Sequence, residues 1–258
     1  MNNSLICVDG KKVLITGVSR PLGIGATLAK RFSEAGAAVA VHGFSDYDMM
    51  LGYNSAAPNG TENVTKQLTE NGLNVVTVTP SDFTKPGTAK RAVEEASNKL
   101  RGLDGLILNH CYGTYTEIGE WTEESLDAHF SVNIRASMLM IQAFAKQVDI
   151  NKDNAITLFT SGQNDSPMLN EIPYCVAKEA VKNLCRQTSA LLGNKNIRVN
   201  CINPGANDTG YYSGDTSRWC TPNDAADLAL FLHSSYAKCI TGQIIASDKG
   251  LGFGGFVL

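Results

Sequence analysis

The sequence predicts an α/β fold: a single doubly wound domain on a seven-stranded parallel sheet flanked by helices. Three observations carry this. Short β-type runs alternate with longer helical patterns along all 258 residues, an order that calls for parallel strands joined by right-handed crossovers. The first strand runs directly into a glycine-rich turn, and a helical pattern follows it. No internal repeat and no linker-like stretch divides the chain, and α/β folds of this length are commonly single.

Taken in order, strands are expected at 13–16, 38–41, 75–78, 105–108, 155–160, 197–202 and 243–246, each a short apolar run. Helices are expected between them at 24–35, 61–71, 88–100, 123–147, 173–192 and 223–233, where apolar residues recur at helical spacing. Two stretches read as loops: 44–60, rich in Asp, Asn, Gly and Pro, and 207–222 near the end. Loops of that length in a compact domain are more often functional or mobile than idle.

Composition narrows the function classes. A chain that is 43% hydrophobic and 18% charged is ordinary for a soluble globular protein. Its net charge of -3, without a basic cluster, argues against nucleic acid or an anionic membrane as partner. Seven scattered cysteines with no CxxC pair suggest neither a disulfide framework nor a zinc site, and no metal is expected. Residues 1–12 lack the basic-then-apolar order of a signal peptide, and no apolar run approaches the ~20 residues that span a bilayer. A cytoplasmic protein with reduced thiols is the expectation.

The turn after the first strand reads Thr16-Gly17-Val18-Ser19-Arg20-Pro21-Leu22-Gly23-Ile24-Gly25. Its glycines permit a tight bend and let a pyrophosphate approach the backbone at a helix N-terminus, so dinucleotide binding is expected in a Rossmann-type domain. Strand two should end near Gly43, where an NAD site places an acid against the ribose; the nearest acids, Asp46 and Asp48, lie beyond it. Arg20 is positioned to pair with a 2'-phosphate, so NADP(H) is expected in preference to NAD(H).

Tyr174 and Lys178 stand four residues apart, on one face of a helix. A lysine cation one turn away favours the phenolate and lowers a tyrosine pKa from its usual ~10, which suits proton exchange near neutrality. Ser161 lies thirteen residues before Tyr174.

With these spacings the chain resembles the short-chain dehydrogenase/reductase family over nearly its full length, in particular the 3-oxoacyl-carrier-protein-reductase-like branch. Ser161 and Tyr174 keep the family's separation, Asn133 in Val132-Asn133-Ile134 matches its mid-helix asparagine, and Asn109 opens its Asn-Asn-Ala-Gly motif. Asp82, followed by Phe83, matches the residue that touches the adenine, and Pro204–Thr209 matches Pro-Gly-x-x-x-Thr, whose threonine contacts the nicotinamide carboxamide.

The resemblance implies a catalytic set of Asn133, Ser161, Tyr174 and Lys178. Tyr174 is to give a proton to the developing alkoxide as a nicotinamide delivers hydride, and the Ser161 hydroxyl is to bond the carbonyl oxygen. Lys178 is to lower the Tyr174 pKa and hold the cofactor ribose, and Asn133 to orient a water linking Lys178 to solvent. Cofactor contacts are expected from Gly17, Ser19, Arg20, Gly23, Ile24, Asp82, Phe83, Asn109, Tyr174, Lys178 and Thr209. Residues 1–150 are expected to form a cofactor half and 151–258 a substrate half of the one domain.

Three departures qualify the resemblance. The glycine turn is two residues longer than usual, as in the enoyl-acyl-carrier-protein reductase branch. That branch spaces its tyrosine and lysine by six residues and lacks the serine, so carbonyl chemistry is favoured here. Asn109-His110-Cys111-Tyr112 replaces Asn-Asn-Ala-Gly, with Tyr112 a candidate wall of the cavity and His110 read as a structural, hydrogen-bonded histidine. The segment 209–222 is short for a substrate-covering loop, which suggests an open cleft and a large or carrier-tethered substrate. Polar residues after Ser161 make a polar substrate equally plausible, and Tyr112, Gln163, Tyr211 and Trp219 are the candidate substrate contacts.

The expectation is therefore an NAD(P)(H)-dependent ketoreductase or alcohol dehydrogenase. The alternatives are a tailoring dehydrogenase of a sugar, polyol or secondary metabolite, and a non-catalytic dinucleotide sensor. A homodimer or homotetramer packed through the helices at 123–147 and 173–192 is implied by the resemblance. The apolar tail 251–258 reads as a second contact, a mobile end or a lid.

Overall fold

The computed structural model describes residues 6–162, 167–210 and 215–250. Its strands are β1 (Lys12–Thr16), β2 (Ala38–His42), β3 (Val75–Thr77), β4 (Gly105–Leu108), β5 (Asn154–Phe159), β6 (Ile197–Asn203) and β7 (Ile244–Ala246). They form one sheet in the order β3-β2-β1-β4-β5-β6-β7, and every pairing is parallel. The chain runs outward from β1 to β3, then returns to lay β4 on the other side of β1. That reversal opens a crevice at the carboxyl ends of β1 and β4, the place where open α/β sheets bind ligands.

The helices among the described residues are α1 (Ile24–Glu34), α2 (Ser45–Met50), α3 (Gly60–Glu70), α4 (Thr88–Leu100), α5 (Glu123–Phe130), α6 (Ser137–Gln147), α7 (Ile172–Leu192) and α8 (Pro222–His233). Side chains alternate across the sheet with period two, so Val13 and Ile15 of β1 join one core and Leu14 the other. The first core is closed by Leu28 and Phe32 of α1, Val64 and Leu68 of α3, and Ala225 and Ala229 of α8. The second is closed by Val93 and Ala96 of α4, Met140 and Phe144 of α6, and Val181 and Cys185 of α7. Phe32 and Phe144 are wholly buried on opposite faces, each contributing roughly 1.5–3 kcal/mol by leaving water.

Two expected elements take a different form. The stretch 44–60 is not all loop, because Ser45–Met50 is helical. Six residues do not hold a helix alone; this one is seated by its side chains, Ser45 on the Gly60 nitrogen, Tyr47 on Gly113, and Asp48 on Ser19 and Arg20. Acids Asp46 and Asp48 in its first turn favour the positive end of its dipole.

The expected helix at 123–147 is broken in register by a π-helical turn over Ser131–Ala136. The turn adds a residue to the helix circumference and carries Asn133 at its middle, the kind of bulge that serves functional sites. The stretch 207–222 is irregular over its described residues, with a parallel bridge between Asn207 and Cys220. The tail 251–258 lies outside the described residues. Among those described, no helix is long and apolar enough to cross a membrane.

Candidate active site

A cavity of about 1370 Å³ opens along the carboxyl ends of β1, β2, β4 and β5. Its phosphate side is made of backbone. Gly17 has φ +74°, and a Cβ there would stand 2.8 Å from Asn109 Nδ2 and 2.9 Å from the His110 nitrogen. A Cβ on Gly25 would overlap the Gly17 carbonyl, so neither position admits a side chain. Asn109 Nδ2 donates to the carbonyls of Thr16 at 3.2 Å and Gly17 at 3.1 Å, tying the end of β4 to the turn.

Helix α1 begins after Gly23 with no side-chain cap and no acid in its first turn. Its first N–H groups and dipole are thus left to an anion, and the turn fits a dinucleotide pyrophosphate. Gly23 and Ile24 line the cavity at this point.

The next residues of the turn are held by α2. The Ser19 hydroxyl donates to Asp48. Arg20 Nε lies 3.5 Å from Asp48, Arg20 Nη1 donates to the Thr209 carbonyl at 3.0 Å, and the guanidinium stands 4.7 Å over the Tyr53 ring. Arg20 is therefore not an unpaired cation awaiting a phosphate; its charge is already shared with Asp48. Burial pushes the Asp48 carboxyl up, against the pull of Ser19 and Arg20. At the end of β2 a side chain on Gly43 would overlap the Val18 carbonyl and the Thr61 hydroxyl. No acid fits there, and the carboxylate nearest the turn comes from α2 instead.

Where the adenine is expected, His42 stacks on Phe83 with centroids 4.3 Å apart, and Phe83 meets His110 edge-on at 4.9 Å. The Phe83 ring is thus committed to packing. Asp82 accepts from the Thr84 nitrogen at 2.8 Å and its hydroxyl at 2.6 Å, closing a turn at the cavity wall. His110 is the structural histidine that was expected: Nδ1 lies 2.7 Å from Thr16 Oγ1 and Nε2 lies 3.2 Å from the Val132 carbonyl. Burial lowers His42 to about 4 and His110 to about 3, so both rings are neutral at pH 7.

The wall opposite, expected to be catalytic, is built from side chains that follow β5 and from α7. The Ser161 hydroxyl is hydrogen-bonded to the Tyr174 phenol. Lys178 is 4% exposed; its Nζ donates to the Phe159 carbonyl at 3.0 Å and sits 5.6 Å from the centre of the Tyr174 ring. Thr160 Oγ1 donates back to the Lys178 carbonyl at 2.9 Å, locking the strand end to the helix. The lysine was expected to lower the Tyr174 pKa, yet burial prevails and pushes the phenol up, with the Ser161 hydrogen bond acting against it. Tyr174 therefore rests protonated, as an acid.

The Asn133 amide is bonded to the Tyr112 peptide. Its Oδ1 accepts from the Tyr112 nitrogen at 2.9 Å and its Nδ2 donates to the Tyr112 carbonyl at 2.8 Å. The Asn133 carbonyl accepts from Ser137 Oγ at 2.8 Å. Tyr112 and Thr209 line the cavity, whereas Trp219 does not; Gln163 and Tyr211 lie outside the described residues.

Sequence reasoning missed Tyr47 on α2; it placed Asp48 only as an acid beyond the ribose position, and Glu171 only among the polar residues after Ser161. Glu171 lies one turn before Tyr174 and lines the cavity, and burial pushes its carboxyl up. The signal for α2 was the acid-rich Ser45-Asp46-Tyr47-Asp48 directly after β2.

Comparison with known proteins agrees with this fold. The family model described as enoyl-(acyl carrier protein) reductase matches residues 17–252. The hydroxynaphthalene reductase-like protein Arp2 of Metarhizium guizhouense is 31% identical over 93% of this chain and 94% of its own. The 3-oxoacyl-[acyl-carrier-protein] reductase FabG of Chlamydia muridarum is 26% identical over 97% of this chain and all (100%) of its own. The solved structure of the landomycin C-6 ketoreductase LanV with bound NADP and rabelomycin superposes with a TM-score of 0.80, at 26% identity, over 94% of this chain and 96% of that one. The chain belongs to the short-chain dehydrogenase/reductase family and is an NAD(P)-dependent oxidoreductase.

Proposed function

We propose that this enzyme interconverts a ketone and a secondary alcohol, with Tyr174 as proton donor and acceptor. The observation that carries the reading is the Ser161–Tyr174 hydrogen bond with the Lys178 ammonium beneath the same ring. A bound reduced nicotinamide supplies the hydride. Tyr174 gives its proton to the oxygen on which charge develops, and Ser161 holds that oxygen by a hydrogen bond. Lys178 keeps a cation below the phenol, favouring the phenolate left by proton transfer. Asn133 acts through Tyr112, whose peptide it brackets.

Gly17, Ser19, Arg20, Gly23, Ile24, Asp82, Phe83, Asn109 and Thr209 are the residues we assign to the cofactor, together with Tyr174 and Lys178. Preference for NADP(H) is supported by Arg20 and by the lack of room for an acid at Gly43; Asp48 is the carboxylate that a 2'-phosphate has to displace from Arg20. Comparing kcat/KM for the two cofactors decides it.

A second reading of the substrate rests on Glu171. A carboxylate set beside the reacting phenol suits a hydroxylated or otherwise polar small molecule better than an acyl chain on an acidic carrier. The chain is proposed to act as one domain, in the cytoplasm, as a homodimer or homotetramer. Exposed Phe130, Met138 and Leu139 and, on α7, Val176 and Leu191 are the apolar surface that such an assembly covers.

The test is a panel of ketones and activated alkenes followed by loss of reduced-cofactor absorbance. Turnover of ketones is expected; turnover of alkenes alone would place the enzyme with enoyl reduction instead.

A further inference from the structure

Tyr47 sits on α2, after β2, yet its hydroxyl ends beside β4. It reaches across the carboxyl end of β1, over the crevice, and makes two hydrogen bonds to one residue. The hydroxyl donates to the Gly113 carbonyl at 2.8 Å and accepts from the Gly113 nitrogen at 2.9 Å. A single oxygen that serves both polar groups of a residue fixes that residue in two directions.

The neighbouring peptide is held as firmly. Asn133 brackets both polar groups of Tyr112, the Tyr112 ring packs on Tyr47 at 5.1 Å, and its other side meets His129 at 4.8 Å. Residues 112 and 113 are thus clamped from the π turn on one side and from α2 on the other.

Gly113 in turn faces the reacting ring with no room to spare: a Cβ added to it would come 2.8 Å from Tyr174 Cδ2. Burial pushes the Tyr47 phenol well above its ordinary value, so it stays protonated and serves as a bridge rather than as a second acid.

We propose that Tyr47 is a positioning residue for the reaction: through Gly113 it holds the Tyr174 ring in the orientation that meets Ser161. The inference rests on the assignment of Tyr174 as proton donor. A misplacement on the order of 1 Å at a reacting group costs up to about 100-fold in rate, and nothing else in the clamp touches Gly113 by hydrogen bonds among the described residues.

The test uses the full chain with Tyr47→Phe and, from the other side of the contact, Gly113→Ala. Gly113 does not have positive φ, so alanine strains the ring contact rather than the backbone. For each variant, kcat and KM are measured with a substrate found by the ketone panel. The cofactor dissociation constant is measured by calorimetry without carbonyl substrate, and kcat for alcohol oxidation is followed against pH.

Both variants are expected to lose about 10-fold or more in kcat, with cofactor affinity within about twofold. The limb of the oxidation profile that reports Tyr174 is expected to move upward, because a loosened ring loses the Ser161 hydrogen bond that stabilises its phenolate. Unchanged kcat and limb in Tyr47→Phe would overturn the proposal, as would a fall in kcat matched by an equal fall in cofactor affinity. Full activity in Tyr174→Phe would instead overturn the reaction assignment beneath it.

Discussion

The two sides of the cavity are built by different means. On the catalytic side, β5 and α7 supply side chains whose chemistry is specific: a hydroxyl, a phenol and an ammonium within one helix turn and one strand end. On the phosphate side, β1 and α1 supply backbone, and side chains serve to hold that backbone in place. Gly17 and Gly25 matter for what they lack, and Asp48, Arg20 and Asn109 matter for what they tie down. Substitutions on the first side should therefore strike turnover, and on the second side binding or stability.

The largest effect on the phosphate side is expected from Gly25→Ala, since its Cβ has to displace the Gly17 carbonyl. A stability loss of at least about 3 kcal/mol, read from the urea midpoint, should accompany loss of cofactor binding. A variant that folds and binds cofactor normally would show that the turn is not closed as tightly as described.

Ser161→Ala is its counterpart on the catalytic side. Removal of the hydroxyl that bonds Tyr174 should lower kcat by about 100-fold or more, while the cofactor dissociation constant stays within about twofold. Comparable losses in both would erase the distinction between the two sides.

A pH effect of similar size belongs to the buried histidines just beyond the phosphate side, His42 and His110. His42 titrates at about 4 in the folded chain against an ordinary 6.5, and His110 at about 3. Above pH 6.5 both are neutral folded or unfolded, and stability is at its full value. As pH falls from 6.5 towards 4 the unfolded chain takes up protons that the folded chain refuses. Stability is lost at up to ~1.4 kcal/mol per pH unit for each histidine. For His42 that amounts to about 3 kcal/mol by pH 4. Urea unfolding across this range should show the slope, and His42→Gln should make it shallower.

The difference between the sides also explains what was readable from sequence. Ser161, Tyr174 and Lys178 could be found because proton transfer demands particular residue types, and because β5 and α7 fix their spacing along the chain. The sheet was legible for the same local reason, each apolar run being its own signal. Helix α2 was not. It is too short for periodicity to reveal, and the partners that seat it, Ser19, Arg20 and Gly113, are 28 to 66 residues away in sequence. The direction of the Tyr174 pKa was missed because it is set by burial, a property of the fold that residue spacing does not display. Likewise Asn133 was marked by its motif, while its bond to the Tyr112 peptide depends on a π turn that no spacing announces.

The smallest effect is expected from Asp48→Asn, which removes the charge that competes for Arg20. The ratio of kcat/KM for NADPH over NADH should rise several-fold, on the order of 1 kcal/mol. A fall in that ratio would mean that Asp48 serves the cofactor in some other way than by neutralising Arg20.

The central claim is that Tyr174 moves the proton while the phosphate side only holds the cofactor. Its most direct test is Tyr174→Phe, with ketone turnover and cofactor binding measured on the same preparation. The account predicts that turnover falls by about 1,000-fold or more while cofactor affinity changes by no more than a few-fold. Retained turnover in that variant would contradict it.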